Sequence, residues 1–262
     1  MPIMAVADTQ IYYEDAGSGP ALLLLHGWGT SARVWHAQQA EFRSDHRVVS
    51  IDWRGCGRSE HPATGNDIHT VVADLVSVIN TVGIERPVVV GSSIGAVFAT
   101  ELALAHPDLV AAVVAVSGPA YWSAQALDLD SIVWQLRNRR AEFLSQWVPN
   151  WLAPGSSPAL VDWTVRQLLD AAPYIDDQFI ALSSYDPRPQ LGDIGVPVHY
   201  IHGELDAEIP VAVAQDCASR TPGAHLAVLA GCGHLPHQER PAEFNTILRR
   251  LVSEILKPAL VG

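Results

Sequence analysis

Basic residues are scarce in this chain. Its 16 Lys and Arg side chains face 28 Asp and Glu, which gives a formal net charge of −12 with histidine neutral. Nucleic acids and anionic membrane surfaces bind proteins through basic patches. The charge therefore argues against nucleic acid and against a membrane surface as partners.

Cysteine is also sparse, and long apolar runs are missing. Cys56, Cys217 and Cys232 are an odd number of thiols without metal-binding or redox spacing, which indicates reduced cysteines and a cytoplasmic protein. No apolar run reaches the ~18 residues that a membrane-spanning helix needs. The first residues lack the basic stretch and apolar core of a secretory signal.

Signatures of bound metals and nucleotides are lacking as well. His234 and His237 stand three residues apart, but Pro236 lies between them and no cysteine pair or carboxylate cluster completes a coordination shell. No phosphate-binding loop ending in Lys-Ser or Lys-Thr occurs. We therefore expect no metal and no cofactor, and we interpret His237 as a loop residue that hydrogen-bonds locally.

What the chain does have is the pattern of one α/β domain. It has 262 residues, of which 48% are hydrophobic, enough for a sizeable core. Residues 9–16 and 21–25 are predicted strands of a hairpin split by the turn 17–20. Residues 68–82 form a predicted amphipathic helix, and strands alternate with helices from Arg47 onward. This alternation predicts a mostly parallel sheet with its active site at the carboxyl ends of the strands.

One segment is typical of an activated serine. Residues 91–95 are Gly-Ser-Ser-Ile-Gly, the pattern G-x-S-x-G, and they follow the apolar run 88–90. Helix-forming residues 96–105 come next, so the context predicts a strand, a sharp turn and a helix. Because the turn strains its central residue and leaves little room beside it, small residues are needed two positions away. We interpret Ser93 as a nucleophile.

A serine hydroxyl attacks only when a base takes its proton. The apolar run 196–203 predicts a strand that places Asp206 at its carboxyl end. A further predicted strand, 224–229, leads into a glycine-flanked loop that carries His234. The chain thus supplies a nucleophile, an acid and a base in the order Ser, Asp, His.

Other polar residues near these motifs are expected to be structural. We interpret His26 as packing and hydrogen-bonding beneath its loop, and Asp52 with Arg54 as bracing a compact glycine-containing turn. Glu204 and Glu208 flank Asp206, and we expect both to be solvated.

Together these features resemble the α/β-hydrolase superfamily, whose triad follows the same chain order. Three further segments match the family: 26–29 after a predicted strand, 52–59 after the next strand, and 234–241 near the end. The resemblance covers nearly the whole chain. It implies an α/β-hydrolase fold, a mostly parallel central sheet flanked by helices with a helical cap insertion.

The resemblance also implies an oxyanion hole made by the backbone N–H groups of Trp28 and Ile94. Ile94 has independent physical support, because it begins a helix, where free N–H groups and the helix dipole favour an anion. The resemblance further implies that Ser93, Asp206 and His234 form the catalytic triad.

The alternation of strands and helices is interrupted at residues 118–190, which we expect to form the helical cap. The core domain then comprises residues 1–117 and 191–262. The cap holds five of the eight tryptophans, so most of its aromatic side chains should fasten it to the core. We select Trp122 and Trp134 as candidate residues of an apolar substrate pocket.

The expected activity is that of a serine hydrolase that cleaves a carboxylic ester or lactone of a small hydrophobic or aromatic molecule through an acyl-enzyme intermediate. Carbon–carbon bond hydrolases and cofactor-free perhydrolases of the same fold are alternatives. The former are weakened by Ala96 after Gly95, where they usually have a second glycine. A small-molecule receptor that retains the triad is an alternative from another class.

Overall fold

The computed structural model describes residues 2–118, 121 and 128–257. These residues form one sheet of eight strands in the order β1-β2-β4-β3-β5-β6-β7-β8. Among the described strands, β2 alone runs against its neighbours, and the sheet is parallel from β4 to β8. The strands are β1 (Ile3–Val6), β2 (Thr9–Ala16), β3 (Ala21–Leu25), β4 (Arg47–Asp52), β5 (Val88–Ser92), β6 (Ala112–Val116), β7 (Val198–Gly203) and β8 (Leu226–Leu229). This architecture confirms the predicted fold class.

Helices connect the parallel strands. They are α1 (His36–Phe42), α2 (Ile68–Val82), α3 (Ile94–Ala105), α4 (Leu129–Trp147), α5 (Pro158–Asp170), α6 (Asp177–Ser184), α7 (Val211–Arg220), α8 (Pro236–Glu239) and α9 (Pro241–Ile255). Short 3₁₀ helices occupy Ala32–Trp35, Pro107–Leu109, Val148–Trp151, Pro173–Asp176 and Arg188–Asp193. Within the described ranges, no helix is both long and apolar enough to cross a membrane.

Helix α2 has the bounds that the sequence predicts, and local chemistry explains them. At its start the Asp67 carboxylate accepts a hydrogen bond from the backbone N–H of Thr70 at 2.9 Å. At its end Gly83 adopts a left-handed conformation with φ 65°, which glycine tolerates.

The central strands are buried on both faces, which explains their continuous apolar sequences. Neighbouring residues of β3 alternate between two hydrophobic clusters: Leu23 and Leu25 belong to one, Leu22 and Leu24 to the other. Helices α2 and α3 pack in the first cluster, and α1 and α9 in the second. This double burial fixes the strand ends that carry the site.

The predicted hairpin of β2 and β3 is wrong, because β4 lies between these strands. Residues of β2 pair antiparallel with β4, and β3 pairs parallel with the other edge of β4. A Cβ atom on Gly17 would lie 2.2 Å from the carbonyl oxygen of His46, and one on Gly19 would lie 2.5 Å from that of Asp45. The glycines therefore let the connection pack against the chain that enters β4. Strand β1 was not predicted.

Helices α4, α5 and α6 lie between β6 and β7, where the sequence predicts helices. Helix α4 is interrupted by a non-helical residue, Arg139, with φ −143° and ψ 35°. The proposed division into core and cap stays a prediction.

Candidate active site

Ser93 sits on a tight turn between β5 and α3. Its φ of 54° and ψ of −122° lie in a region that residues with a side chain rarely adopt. The turn is held by a hydrogen bond from the Ser93 N–H to the carbonyl of Val116 at 2.9 Å. A Cβ atom on Gly91 would lie 2.2 Å from the carbonyl oxygen of Gly95. Glycine at this position is therefore a steric requirement, as the sequence pattern predicts.

Two further glycines bring neighbouring loops close to Ser93. A Cβ atom on Gly118, after β6, would lie 2.2 Å from the Ser93 carbonyl oxygen. One on Gly27, after β3, would lie 3.4 Å from the Ser93 Cβ. The distance for Gly27 is an ordinary van der Waals contact, so of these two glycines only Gly118 is a steric requirement.

The side chains of His234 and Asp206 are hydrogen-bonded to each other. His234 Nδ1 lies 2.8 Å from Asp206 Oδ2, and both side chains are buried. Asp206 Oδ1 accepts the backbone N–H groups of Glu208 at 3.0 Å and Ile209 at 2.8 Å. A carboxylate held in this way fixes the imidazole with its proton on Nδ1, so Nε2 of the neutral ring is the free acceptor.

His202 is a second histidine on the same carboxylate, and sequence reasoning missed it. Its Nε2 lies 3.2 Å from Asp206 Oδ2 and 2.7 Å from the carbonyl oxygen of Ile209. Both neighbours are acceptors, so this nitrogen carries the proton and donates. His202 is the last residue but one of strand β7, four residues before Asp206, and that spacing was the available signal.

These contacts move the pKa values of the pair apart. Burial alone would raise the pKa of Asp206, but His234 and His202 lower it to about 2. Burial likewise opposes protonation of His234, yet the charge and hydrogen bond of Asp206 leave its pKa above that of an ordinary histidine. At neutral pH Asp206 is therefore a carboxylate that stabilises the imidazolium form of His234.

The loop that carries His234 is fastened to the segment after α4. The His234 backbone N–H donates to the carbonyl of Trp151 at 2.6 Å. The Glu239 carboxylate accepts from the N–H groups of Gly233 at 3.1 Å and of Ala153 at 2.8 Å. Glu239 thus holds both segments, and its position five residues after His234 was its only sequence signal.

Ser93 and His234 face one cavity, which is mostly apolar. No hydrogen bond joins the Ser93 hydroxyl to His234 in the described part of the chain, and such contacts often tighten only when substrate binds. The described lining residues are Gly27, Trp28, Thr30, Val34, Ser92, Ser93, Trp147, Trp151, Phe179, Glu208, His234, Leu235 and His237.

The backbone around Ser93 offers donors for a developing negative charge. The N–H of Ile94 begins α3, and the N–H of Trp28 belongs to the loop after β3. Neither group donates a hydrogen bond to another described residue. Free N–H groups of this kind can stabilise an oxyanion.

Glu208 was expected to be solvated, and this expectation is wrong. Its side chain lines the cavity and the residue is only 6% exposed. The indole N–H of Trp147 donates to Glu208 Oε2 at 2.9 Å. Burial raises the pKa of Glu208 to about 7 in spite of nearby His234, which lowers it. Glu204, in contrast, is exposed, and its carboxylate accepts the N–H of Gly231 at 2.9 Å.

The structure describes only one of the two candidate pocket residues. Trp122 lies outside the described residues. Trp134 lies on α4 with 55% of its surface exposed, and it is not among the described residues that line the cavity. Trp147, Trp151 and Phe179 supply the aromatic lining from the same helical segment.

The interpretation of His237 as a locally hydrogen-bonded loop residue is also wrong. His237 belongs to the short helix α8 and is buried. Its ring stacks on Trp35 with 4.3 Å between centroids, and neither ring nitrogen has a hydrogen-bond partner among the described residues. Burial, together with His234, lowers the pKa of His237 to about 3, so the ring stays neutral.

The residues expected to brace the structure do so. His26 is fully buried, its Nδ1 lies 2.7 Å from the Gly27 carbonyl and its Nε2 accepts the Trp53 N–H at 3.3 Å. Asp52 accepts the N–H of Ala32 at 2.6 Å. Arg54 binds both carboxylate oxygens of Asp74 at 2.6 and 2.9 Å, so it connects its turn to helix α2 and not only to neighbouring residues.

None of the three cysteines is among the described residues that line the cavity. The three cysteines are buried and form no disulfide, and burial raises the pKa of the Cys232 thiol to about 12. In residues 2–118, 121 and 128–257, no group of three or more His, Cys, Asp or Glu side chains is arranged to hold a metal ion.

Known proteins are similar to this chain in sequence and in fold. A family model described as the alpha/beta hydrolase family matches residues 22–247. A pimeloyl-[acyl-carrier protein] methyl ester esterase of Vibrio atlanticus is 30% identical, over 88% of this chain and 93% of that protein.

Solved structures agree with the family model. An esterase from Exiguobacterium antarcticum superposes with a TM-score of 0.89 and 25% identity, covering 97% of this chain and 99% of that one. The N-acyl homoserine lactone degrading enzyme Est816 gives a TM-score of 0.83 and 28% identity, with 95% and 99% covered. With a family model that spans most of its length, this chain belongs to the alpha/beta hydrolase family.

Proposed function

We propose that the protein is a serine hydrolase that cleaves a carboxylic ester or lactone of a small hydrophobic or aromatic molecule. The observation that carries the proposal is the 2.8 Å contact between His234 and Asp206 beside the cavity that Ser93 also lines. An acid, a base and a strained serine at one cavity are the groups that acyl transfer requires.

In the proposed reaction, Ser93 Oγ attacks the substrate carbonyl while His234 Nε2 takes the hydroxyl proton. The negative charge on the former carbonyl oxygen is stabilised by the N–H groups of Trp28 and Ile94. His234 then returns the proton to the departing alcohol oxygen, and an acyl ester on Ser93 remains. Water, activated by the same histidine, hydrolyses this ester and restores the serine.

The nature of the substrate is inferred from the cavity and from the relatives. Trp28, Trp147, Trp151 and Phe179 form apolar walls that suit a hydrophobic or aromatic group. The names of the similar proteins describe an esterase, a methyl ester esterase and an enzyme that degrades a lactone. Ester and lactone hydrolysis involve the same attack on an acyl carbon, so both stay within the proposal.

The domain boundaries and the location are part of the proposal. We infer a core of residues 1–117 and 191–262 and a cap of residues 118–190, because α4, α6 and the 3₁₀ helix after α4 supply aromatic side chains to the cavity that Ser93 lines. Three buried cysteines that form no disulfide support a reducing compartment such as the cytoplasm.

Replacement of the nucleophile tests the proposal. Ser93→Ala should lower kcat/KM for chromogenic esters by about 10⁴-fold or more while the far-ultraviolet circular dichroism is unchanged. A panel of short-chain esters, aromatic esters and lactones gives the readout. Ser117→Ala is the matched control, since its buried hydroxyl has no hydrogen-bond partner among the described residues and it should retain activity.

Two results would contradict the proposal. Retention of more than a few per cent of the wild-type rate by Ser93→Ala would remove the serine from the nucleophilic role. A single burst of about one equivalent that then stops, across the whole panel, would favour a receptor that retains the triad over an enzyme.

A further inference from the structure

Glu208 is a buried carboxyl group that the proposed reaction does not use. It lines the same cavity as Ser93 and His234, and it lies two residues after Asp206. The described lining residues include neither Lys nor Arg, and Glu208 takes part in none of the salt bridges between described residues. The basic group of the protein nearest in effect is thus His234, which is neutral when it acts as the base, and no permanently charged side chain among the described residues neutralises Glu208.

Asp206 and Glu208 differ in how fully their oxygens are occupied. Asp206 Oδ1 accepts two backbone N–H groups, and its Oδ2 lies against two histidines. Glu208 Oε2 accepts the Trp147 indole N–H at 2.9 Å. A carboxylate has about four acceptor positions, so Glu208 keeps capacity for a donor from a ligand.

Four aromatic side chains line the same cavity as this carboxyl group. The Trp147 ring lies 5.1 Å from Trp151, 6.2 Å from Trp28 and 6.2 Å from Phe179, and Trp28 lies 5.0 Å from Phe179, measured between centroids. The rings are tilted or perpendicular to one another, and all four line the cavity. Aromatic faces attract cations, most strongly when water is excluded.

A buried carboxylate costs free energy unless a positive charge or several donors compensate it. A neutral, wholly apolar substrate would supply neither. A substrate with an ammonium group would neutralise Glu208 and place its charge against the ring faces.

We propose that the cavity recognises an ammonium group of the ester substrate, held between the Glu208 carboxylate and the rings of Trp147, Trp151 and Phe179. This inference rests on the proposed function and deepens it by naming the substrate class. The class is esters of hydrophobic molecules that carry a protonated amine or a quaternary ammonium group. Glu208 is accordingly a specificity-determining residue.

A purely structural role of Glu208 makes a different prediction. In that case the carboxyl group only accepts the Trp147 N–H and so ties α4 to the loop after β7. Glu208→Gln keeps an acceptor oxygen and nearly the same volume but removes the charge. A structural role therefore predicts no change in the preference between charged and neutral substrates.

Pairs of substrates that differ in charge but hardly in shape provide the test. One pair is choline acetate and 3,3-dimethylbutyl acetate, which places the cation on the alcohol side. The other is a methyl ester of trimethylglycine and methyl 3,3-dimethylbutyrate, which places it on the acyl side. For each pair, kcat/KM of each ester is divided by its rate constant for hydroxide-catalysed hydrolysis, and the ratio of these corrected values is measured in wild type, Glu208→Gln and Glu204→Gln.

For at least one pair, the wild type should prefer the cationic member by about tenfold or more. Glu208→Gln should reduce this ratio to near one. Glu204→Gln removes the same charge from an exposed position, so it should keep the wild-type ratio and control for long-range attraction to the acidic protein. Tetramethylammonium chloride should inhibit the wild type competitively, whereas sodium chloride at the same ionic strength should not.

Three results would overturn the inference: a wild-type preference for the neutral member of both pairs, a cation preference that persists in Glu208→Gln, or loss of the preference in Glu204→Gln as well. If Glu208→Gln fails to fold, the wild-type ratios and the inhibition by tetramethylammonium still test the cation site. If neutral esters are hydrolysed and Ser93→Ala abolishes this, the proposed function stands whatever the charge preference. If no ester is hydrolysed, calorimetric binding of tetramethylammonium to the wild type still tests the cation site.

Discussion

The turn at the end of β5 and the helical segment between β6 and β7 border the same cavity, but different parts of the chain specify them. Around Ser93 the constraint lies in the backbone, where a Cβ atom on Gly91 or Gly118 would lie 2.2 Å from a carbonyl oxygen. In the helical segment the constraint lies in large side chains such as Trp147 and Phe179, whose rings pack on one another. Backbone constraints appear as short sequence patterns, whereas side-chain packing depends on which face of a helix turns inward.

Of the four tests of this comparison, replacement of Asp206 has the largest expected effect. Asp206→Asn should lower kcat/KM for esters by about 10² to 10⁴-fold, because an amide can stabilise the wrong tautomer of His234 and cannot balance its positive charge. Asn keeps an acceptor for the N–H groups of Glu208 and Ile209, so the fold should persist. Steady-state kinetics with circular dichroism measure both, and activity above about a tenth of wild type would argue against Asp206 as the acid.

Gly118→Ala tests whether the backbone is the constraint at Ser93. The added methyl group would meet the carbonyl oxygen and Cα atom of Ser93, which cannot move without breaking the turn. We expect a loss of about 2 kcal/mol or more in the free energy of unfolding, measured in urea, together with reduced activity. Gly192→Ala is the control, since its nearest contact would be 4.0 Å away. Equal stability of the two variants would refute the steric argument.

The pH dependence sharpens the comparison within the site. His234 accepts a proton only when its ring is neutral. Burial lowers the pKa of His234, but Asp206 raises it and the pKa stays above 6.5. We therefore expect kcat/KM to fall as the pH drops through a value above 6.5. Below this limb the rate should fall about tenfold per pH unit. Glu208 has a pKa of about 7, and the profile is therefore also measured in Glu208→Gln. A limb that disappears in this variant belongs to Glu208 and not to His234.

The smallest effect is expected at the exposed tryptophan of α4. Trp134→Ala should change the free energy of unfolding by less than about 0.5 kcal/mol and leave the ester profile unaltered, because Trp134 is 55% exposed and does not line the described cavity. Thermal unfolding and an ester size series are the measurements. Selective loss of activity toward bulky esters would restore Trp134 as a pocket residue and weaken the contrast between the turn at Ser93 and the helical segment.

The sequence predicted the parts of the molecule that depend on near neighbours. Helix α2 has its predicted bounds because Asp67 and Gly83 cap it. The strand, turn and helix around Ser93 follow from glycine spacing, and Asp206 and His234 follow from loops at strand ends. These features need only a few consecutive residues, so composition and spacing suffice.

The remaining features depend on contacts between distant residues. Glu208 looked like a surface residue next to Asp206, but Trp147, which lies 61 positions earlier, encloses it. Trp134 and Trp147 are 13 positions apart on α4, roughly 140° around a regular helix, and the break at Arg139 separates them further. No local pattern distinguishes these two tryptophans. The hairpin error has the same origin, because the strand inserted between β2 and β3 comes later in the chain.

The hydrogen bond from the His234 N–H to the Trp151 carbonyl has a consequence for engineering. Caps are attractive modules to exchange when an enzyme is redesigned for a new substrate. In this protein the segment after α4 also holds the loop that carries His234, with Glu239 bridging Gly233 and Ala153. A graft that replaces residues 148–153 would move His234 along with the substrate pocket, so a transplant should retain this segment and exchange only what lies outside it.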